Sequence, residues 1–256
     1  MTLKIDEKLL SPGERLLWEY GIETPDEIDL EAIANDRGIA IKRRHLEGAD
    51  ARLVATATSG IITVNSSTSE QRQRFSIGHE LGHWERDRKH GRINLCSKAD
   101  LAQHNQQAKN SESEANIFSA DLILPPYLVS TRTAGKDASM DLVLQVAEEF
   151  RASREATGIR VMRLARTPVA IMVFGYKCRK WLIKNSAWPH YIQPVSIVHH
   201  DSPSMDLLFT GARGAKTRDQ KEPALRWLVG EGIRLMDVRV QSVKLSTDEI
   251  LSIVRI

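Results

Sequence analysis

The sequence predicts an α+β fold, because stretches with helical spacing alternate with short β-rich stretches along the chain. Helical spacing recurs in several segments before Pro168. A hairpin pattern surrounds Ser59-Gly60, and further β-rich runs follow Pro168. The sequence shows no internal repeat and no low-complexity linker, so we place the boundaries between its parts near residues 130–140 and 166–168.

The first part of the chain predicts two helices, a strand and a hairpin. Ser11 and Pro12 are typical of the N-cap and first position of a helix, which we expect to end near Gly21. A second helix in IDLEAIAND stops at Gly38, and the alternation in GIAIKR predicts a strand. The run ARLVATATSGIITVNSS then predicts the hairpin.

Two longer helices are predicted next, on either side of a polar segment. From about Glu70 the pattern places FSIGHELGHW on a largely buried helix. The run SESEANIFSADLILP predicts the other helix, which Pro125 and Pro126 terminate. From Lys89 to Asn110 the chain is polar and aperiodic, and we expect a long loop that contains a short helix.

The run LVLQVAEEFRASREATGIRVMRLA predicts two helices joined by a tight turn at about Phe150–Ser153. It follows the helix-turn-helix template, but Arg151 stands where such turns often carry glycine. We interpret the pair as a structural bridge. The alternative is DNA binding through arginines that can contact phosphate, namely Arg151, Arg154, Arg160 and Arg163.

The remainder of the chain predicts mostly strands. We expect strands in VAIMVF, KWLIKN, PVSIVHH and LLFTG, and a strand or helix in EPALRWLVGEGIR. The end, LSTDEILSIVRI, predicts a turn followed by a strand or a short helix. His190, His199 and His200 are candidates for a second site, although paired histidines near strand ends are more often surface residues.

Composition limits the classes of function. A net charge of +3 does not by itself indicate nucleic-acid binding. The opening MTLKIDEKLL lacks the apolar core of a signal peptide, and no run approaches the ~18 apolar residues of a membrane helix. Cys96 and Cys178 lie far apart, which favours two free thiols in a reducing compartment. We therefore expect a cytoplasmic protein that does not span a membrane.

The motif HELGH predicts a metal site. Residues four apart on a helix lie one turn apart on one face, so His79 and His83 can direct both imidazoles at one point. Zinc accepts imidazole nitrogen, and Glu80 can take a proton from a metal-bound water. This is the H-E-x-x-H arrangement of metallopeptidases. The alternative is a helix with one exposed and one core histidine.

A third ligand is available on the next predicted helix. Glu112 and Glu114 compete for this role, and their side chains point roughly 200° apart around the helix axis. We favour Glu112, because Asn116 lies one turn further along the same face. From there the amide oxygen of Asn116 can accept a hydrogen bond from a ligand imidazole and fix its tautomer.

Gly82, inside the first of these helices, has two interpretations. Glycine in a helix interior is less favourable than alanine by roughly 1 kcal/mol, so another backbone approaching closely would explain it. A tolerated surface glycine explains it as well.

Together, RQRFSIGHELGHW and ESEANIFSADLILP resemble the paired signature of the ImmA/IrrE-type metallo-endopeptidases. The resemblance covers roughly residues 10–168. It implies a zincin-like peptidase domain at residues 1–130, a helix-turn-helix-like linker at 131–167 and a C-terminal GAF-like α/β domain at 168–256.

Residue by residue, the resemblance implies that His79, His83 and Glu112 hold Zn²⁺, or another divalent metal such as Mn²⁺. It implies that Glu80 is the catalytic base and acid and that Asn116 supports a ligand histidine. It further implies cleavage of a helix-turn-helix transcriptional repressor encoded nearby, which relieves repression in a stress response or in phage and mobile-element control. A non-cleaving antirepressor is the alternative.

Overall fold

The computed structural model describes residues 5–89 and 105–256, and their contacts divide the chain into two compact units. Unit 1 comprises Met1–Leu128 and Glu149–Ser153, and unit 2 comprises Val129–Glu148 and Arg154–Ile256. Helices and strands are both abundant, which confirms the α+β class. The finer division into segments 1–130, 131–167 and 168–256 stays a prediction. No helix of the described ranges is long and apolar enough to cross a membrane.

Unit 1 consists of helices around a small sheet. Its elements are α1 (Pro12–Glu19), α2 (Leu30–Asp36), β1 (Ile39–Arg44), β2 (Ala51–Ala55), β3 (Gly60–Asn65), α3 (Glu70–Lys89) and α4 (Asn105–Ile123), after which α5 (Pro126–Thr133) leads into unit 2. The strand order is β1-β3-β2, with β3 parallel to β1 and antiparallel to β2. Strand β2 therefore lies at one edge of the sheet.

The start of α1 is built as the sequence predicts. The Ser11 hydroxyl accepts from the Glu14 N–H, and the Glu14 carboxylate accepts from the Ser11 N–H, which forms a capping box with Pro12 at the first helical position. Glu14 is buried, and its second oxygen accepts from the Tyr127 N–H at 3.0 Å. The capping residue thus also ties α1 to α5.

Helices α3 and α4 approach each other unusually closely. A β-carbon added to Gly78 would lie 2.7 Å from the Ser119 Oγ, and one added to Gly82 would lie 3.3 Å from the Ala115 Cα. The Ser119 hydroxyl donates to the Phe75 carbonyl at 2.7 Å, so α4 is hydrogen-bonded to the α3 backbone at this crossing. Of the two interpretations of Gly82, close backbone approach is the one that the structure supports.

Part of the predicted polar loop is helical. Helix α4 begins at Asn105, so residues 105–110 belong to it rather than to the loop expected between Lys89 and Asn110. The rest of that predicted loop, residues 90–104 with Cys96, lies outside the described ranges.

Unit 2 contains a five-stranded antiparallel sheet with helices beside it. Its elements are α6 (Met140–Glu149), α7 (Arg154–Leu164), β4 (Val169–Gly175), β5 (Arg179–Lys184), β6 (Gln193–Pro194), α8 (Pro203–Thr210), β7 (Gln220–Pro223), β8 (Leu228–Val229), β9 (Asp237–Ser246) and β10 (Glu249–Arg255). The sheet order is β5-β4-β10-β9-β7, and β6 pairs with β8. Every residue of β4 is buried, because α7 covers one face of it and a core around Phe174 and Trp227 covers the other. A GAF-like identity for this unit stays a prediction.

Two strand predictions in unit 2 are wrong. The segment LLFTG lies in α8, where Ser202 caps the helix and Pro203 occupies its first position. Local capping therefore outweighs the β-rich composition of that run. In PVSIVHH only Pro194 lies in a strand, the two-residue β6. The ambiguous end of the chain resolves as β9, a turn and β10.

Arg151 adopts the backbone conformation that glycine favours. The predicted helix pair is present as α6 and α7, and Arg151 in its turn has a φ of +50°. A side chain with a β-carbon is strained in this left-handed region. The structure thus keeps the turn geometry of the helix-turn-helix template without its usual residue.

We expect Gly78→Ala to destabilise the protein by up to about 2 kcal/mol. Overpacking of a close contact costs about 1–3 kcal/mol, and the roughly 1 kcal/mol that alanine gains in a helix offsets part of this cost. Urea denaturation measures the difference. In a Ser119→Ala background the same substitution should cost less, because the nearest clashing atom is absent. A gain in stability from Gly78→Ala alone would mean that the helices do not approach as described.

We expect Arg151→Gly to stabilise the protein. Relief of the left-handed strain is worth about 1–2 kcal/mol, and the greater freedom of glycine in the unfolded chain cancels about 0.4–1 kcal/mol of it. Arg151→Ala is the matched control, because it removes the guanidinium but keeps the β-carbon. The glycine variant should melt at a higher temperature than the alanine variant. Equal melting temperatures would contradict the strained turn.

Candidate metal centre

Helix α3 brings the two histidines of the HELGH motif together. The Nε2 atoms of His79 and His83 lie 3.1 Å apart, and the two rings meet edge to face with centroids 4.7 Å apart. Their side chains are 18% and 16% exposed, so the imidazoles border solvent without projecting into it. The spacing of four residues accounts for this arrangement.

Helix α4 adds the carboxylate of Glu112 to the pair. One Glu112 oxygen lies 3.2 Å from the His79 Nε2, and the other lies 3.2 Å from the His83 Nε2. Glu114 is exposed and does not belong to this group in the part of the chain that the structure describes. Of the two candidate third ligands, Glu112 is the one that the fold places beside the histidines.

Asn116 lies where a supporting residue is needed. Its Oδ1 is 3.0 Å from the His79 Nδ1 and can accept that ring's N–H. A proton held on Nδ1 leaves the lone pair of Nε2 directed toward His83 and Glu112, which is the tautomer that a metal ligand requires.

Two polar residues that lie near His83 were not predicted from the sequence. The Ser111 Oγ and an Arg86 guanidinium nitrogen each lie 3.5 Å from the His83 Nδ1, and Arg86 donates to Ser111. Of these two, the hydroxyl alone is able to accept a hydrogen bond from the ring. Arg86 follows His83 by three residues and so shares its helix face, which is the signal that could have pointed to it.

The geometry of the three residues fits a zinc ion. Ligands about 2.0–2.1 Å from a tetrahedral zinc are separated from one another by about 3.3 Å. The two Nε2 atoms are 3.1 Å apart, and each lies 3.2 Å from a different oxygen of Glu112, so the separations are close to this value. Two imidazoles and one carboxylate are also a ligand set of catalytic zinc sites, which keep the fourth position open for water.

Glu80 occupies an unusual electrostatic environment beside this group. Burial, and next the negative charge of Glu112, raise the pKa of Glu80 to about 7. A cation held by Glu112 and the two histidines acts in the opposite direction, since a nearby positive charge favours the ionised carboxylate. A bound cation therefore favours the carboxylate form of Glu80, which can accept a proton.

A second cluster of metal-binding residue types lies in unit 2. His199, His200 and Asp201 offer ligand atoms within 4.8 Å of one another, and His200 and Asp201 are exposed. The His199 Nδ1 accepts from the Asp201 N–H, and Arg226 lies within 4.0 Å of the Asp201 carboxylate. A cation so close disfavours a metal there. His190 does not join this cluster among the described residues.

Comparison with known proteins identifies the family. The profile of the family Peptidase M78, the IrrE N-terminal-like domain, matches residues 34–162, which is half of the chain. The chain belongs to the Peptidase M78 family. The match confirms the resemblance on which the ligand assignment drew, and it includes every residue of the His79–His83–Glu112 group. Membership of Peptidase M78 indicates a metallopeptidase domain.

A solved structure shares the overall fold. The protein resembles a Mycobacterium tuberculosis transcriptional regulator with a TM-score of 0.58 and 14% identity, over 95% of this chain and 74% of that one. At this identity the likeness concerns the fold alone. The comparison with curated proteins gives no match.

We expect Glu112→Gln to lower the affinity for zinc by more than about 100-fold. Mutation of a residue that only hydrogen-bonds to a ligand lowers metal affinity by about 10–100-fold, and loss of a charged ligand should lower it further. Glu114→Gln is the matched control, since it removes the same charge two residues away on α4. Competition with a chromophoric chelator measures both affinities. If both variants bound zinc equally well, Glu112 would not be a ligand.

Proposed function

We propose that this chain is a zinc-dependent endopeptidase that cleaves a helix-turn-helix transcriptional repressor and thereby relieves repression. The observation that carries the proposal is the convergence of His79, His83 and Glu112 beside Glu80. A binding protein needs neither three metal ligands with an open fourth position nor a titratable carboxylate beside them. Zinc is favoured over Mn²⁺ because two of the three donors are imidazoles.

The residues divide the chemistry among them. A bound zinc ion would supply Lewis acidity toward the scissile carbonyl and a water molecule. The Glu80 carboxylate accepts a proton from that water and then donates it to the nitrogen of the leaving amine. Asn116 keeps the Nδ1 proton on His79 throughout, so that Nε2 remains a donor. Glu112 is 60% exposed, which leaves the site accessible to a polypeptide.

The edge of the small sheet offers a place for the substrate backbone. Thr56 N–H donates to the Ser59 carbonyl and Asn65 N–H to the Asp50 carbonyl, which fixes the alternation of the β2–β3 hydrogen bonds. By that alternation the backbone groups of Ala51, Leu53 and Ala55 point away from β3. A segment of the substrate can pair with them as an added strand.

The identity of the substrate rests on the ImmA/IrrE-type resemblance together with the family match. A repressor that acts on DNA is met in the cytoplasm, which is also the compartment that two separate thiols favour. The partner is thus a protein, and we propose that its gene lies nearby.

Direct DNA reading by the helix pair is disfavoured. In a helix-turn-helix the second helix enters the major groove and must expose its reading face. In α7 only Arg163 is exposed, while Gly158 packs against Ile171 of β4. Arg154, one of the arginines that suggested phosphate contacts, donates instead to the Lys244 carbonyl. These contacts support the interpretation of α6 and α7 as a structural bridge.

We expect Glu80→Gln to retain zinc and to lose cleavage by a factor of about 10² or more, because a glutamine cannot transfer the proton. The measurement combines zinc content by atomic emission with a gel of the neighbouring repressor after co-expression. Glu114→Gln, at an exposed carboxylate of α4 outside the metal group, is the matched control and should cut normally.

Two outcomes would overturn the proposal. Cleavage at the wild-type rate by Glu80→Gln would show that the proton is carried elsewhere. An intact repressor in a stable complex with the zinc-loaded wild-type chain would favour the non-cleaving antirepressor.

A further inference from the structure

Unit 1 contains a half-open cavity of about 490 Å³ that the peptidase chemistry does not use. It lies between α2, β1 and the first turns of α3, and the turn before α7 adds Arg151 to its wall. Arg74 of α3 lines it and precedes His79 by five residues, which places it roughly 140° around the helix from that histidine. The cavity therefore opens on a different side of α3 from the metal group.

Two guanidinium groups in this cavity form no close ion pair among the described residues, although the charges of Glu70 and Asp29 attract Arg74. The Arg74 Nε is buried and makes no hydrogen bond, and neither Arg74 nor Arg151 forms an ion pair within 4.0 Å with any of the described residues. Burial, and next the charge of Arg151, lower the pKa of Arg74. Two like charges that share one cavity repel each other, and an anion between them would offset this.

The carboxylates that line the cavity form no ion pair with Arg74 or Arg151 within 4.0 Å. Glu31 is paired with Arg43, and the Asp29 side chain accepts from the Glu31 and Ala32 N–H groups at the start of α2. The remaining two, Asp26 and Glu70, are exposed. Negative charge at the opening repels an extended polyanion such as a nucleic acid more strongly than it repels a small ligand.

The backbone of Arg151 has an unfavourable conformation. Its φ of +50° would suit glycine, yet the residue carries a long cationic side chain that lines the cavity. Strain of this kind persists where the surroundings hold it, and it is common at binding sites. Leu30 and Ile77 provide apolar wall beside the two guanidinium groups, as is typical of small-molecule pockets.

We propose that this cavity binds a small oxyanion-bearing ligand, with the phosphate or carboxylate group held between the guanidinium groups of Arg74 and Arg151. Guanidinium groups donate paired N–H bonds to such groups, which gives the site its preference for planar or tetrahedral oxyanions. The site is separate from the metal centre and does not depend on the proposed peptidase activity.

Thermal unfolding of the zinc-loaded chain tests this site with inorganic phosphate as the probe and citrate as the carboxylate probe, each against chloride at equal ionic strength. Binding to the folded state raises the melting temperature with ligand concentration. Loss of one guanidinium group should lower the affinity for the more tightly bound of the two probes by about tenfold or more. The test variants are Arg74→Gln and Arg151→Gly, of which the second is expected to fold at least as stably as the wild type.

Arg72→Gln is the matched control, because Arg72 is on the same helix but pairs with Asp50 and does not line the cavity. It should respond to the probe as the wild type does. Equal stabilisation of all four proteins would show an adventitious anion effect and would overturn the proposal, as would a wild type that neither probe stabilises. Duplex DNA binding lost in both test variants would also overturn it, in favour of a nucleic-acid ligand.

Discussion

The metal site depends on how closely α3 and α4 approach each other. Helix α3 alone supplies two imidazoles, and two ligands do not make a stable zinc site. The absence of side chains at Gly78 and Gly82 lets α4 approach until the Glu112 oxygens lie 3.2 Å from both histidines. The same approach sets the Asn116 amide against the His79 ring. One packing constraint therefore brings the three proposed ligands together and places Asn116 beside His79.

That constraint also sets the charge balance of the site. The negative charge of Glu112 lies near Glu80 and, together with burial, opposes ionisation of the Glu80 carboxyl. A divalent cation between Glu112 and the histidines reverses the sign of the local field. A bound cation would therefore favour the ionised, proton-accepting form of Glu80 and offset the repulsion between the two carboxylates. In the cavity lined by Arg74 and Arg151 the signs are inverted, because two positive charges lie near each other and the charge of Arg151 lowers the pKa of Arg74.

Local rules predicted the grouping of His79, His83 and Glu112 better than they predicted the fold of unit 2. The i, i+4 spacing of His79 and His83 fixes their relation on any helix, and helix phase separates Glu112 from Glu114 once Asn116 is considered. The capping box at Ser11 is equally local. The errors concern runs such as LLFTG, where β-rich composition competes with a Ser-Pro helix start and packing decides. The left-handed Arg151 could not be predicted either, because sequence favours glycine there and only the surrounding structure holds an arginine in that conformation.

The central claim is that α3 and α4 together form a three-ligand zinc centre with an open position. X-ray absorption at the zinc edge of the stoichiometrically loaded chain tests it most directly. The account predicts a shell of nitrogen and oxygen at about 2.0–2.1 Å that includes two imidazoles and no sulfur. A sulfur neighbour at about 2.3 Å, which would indicate Cys96 or Cys178, or a shell with fewer than two imidazoles, would contradict it.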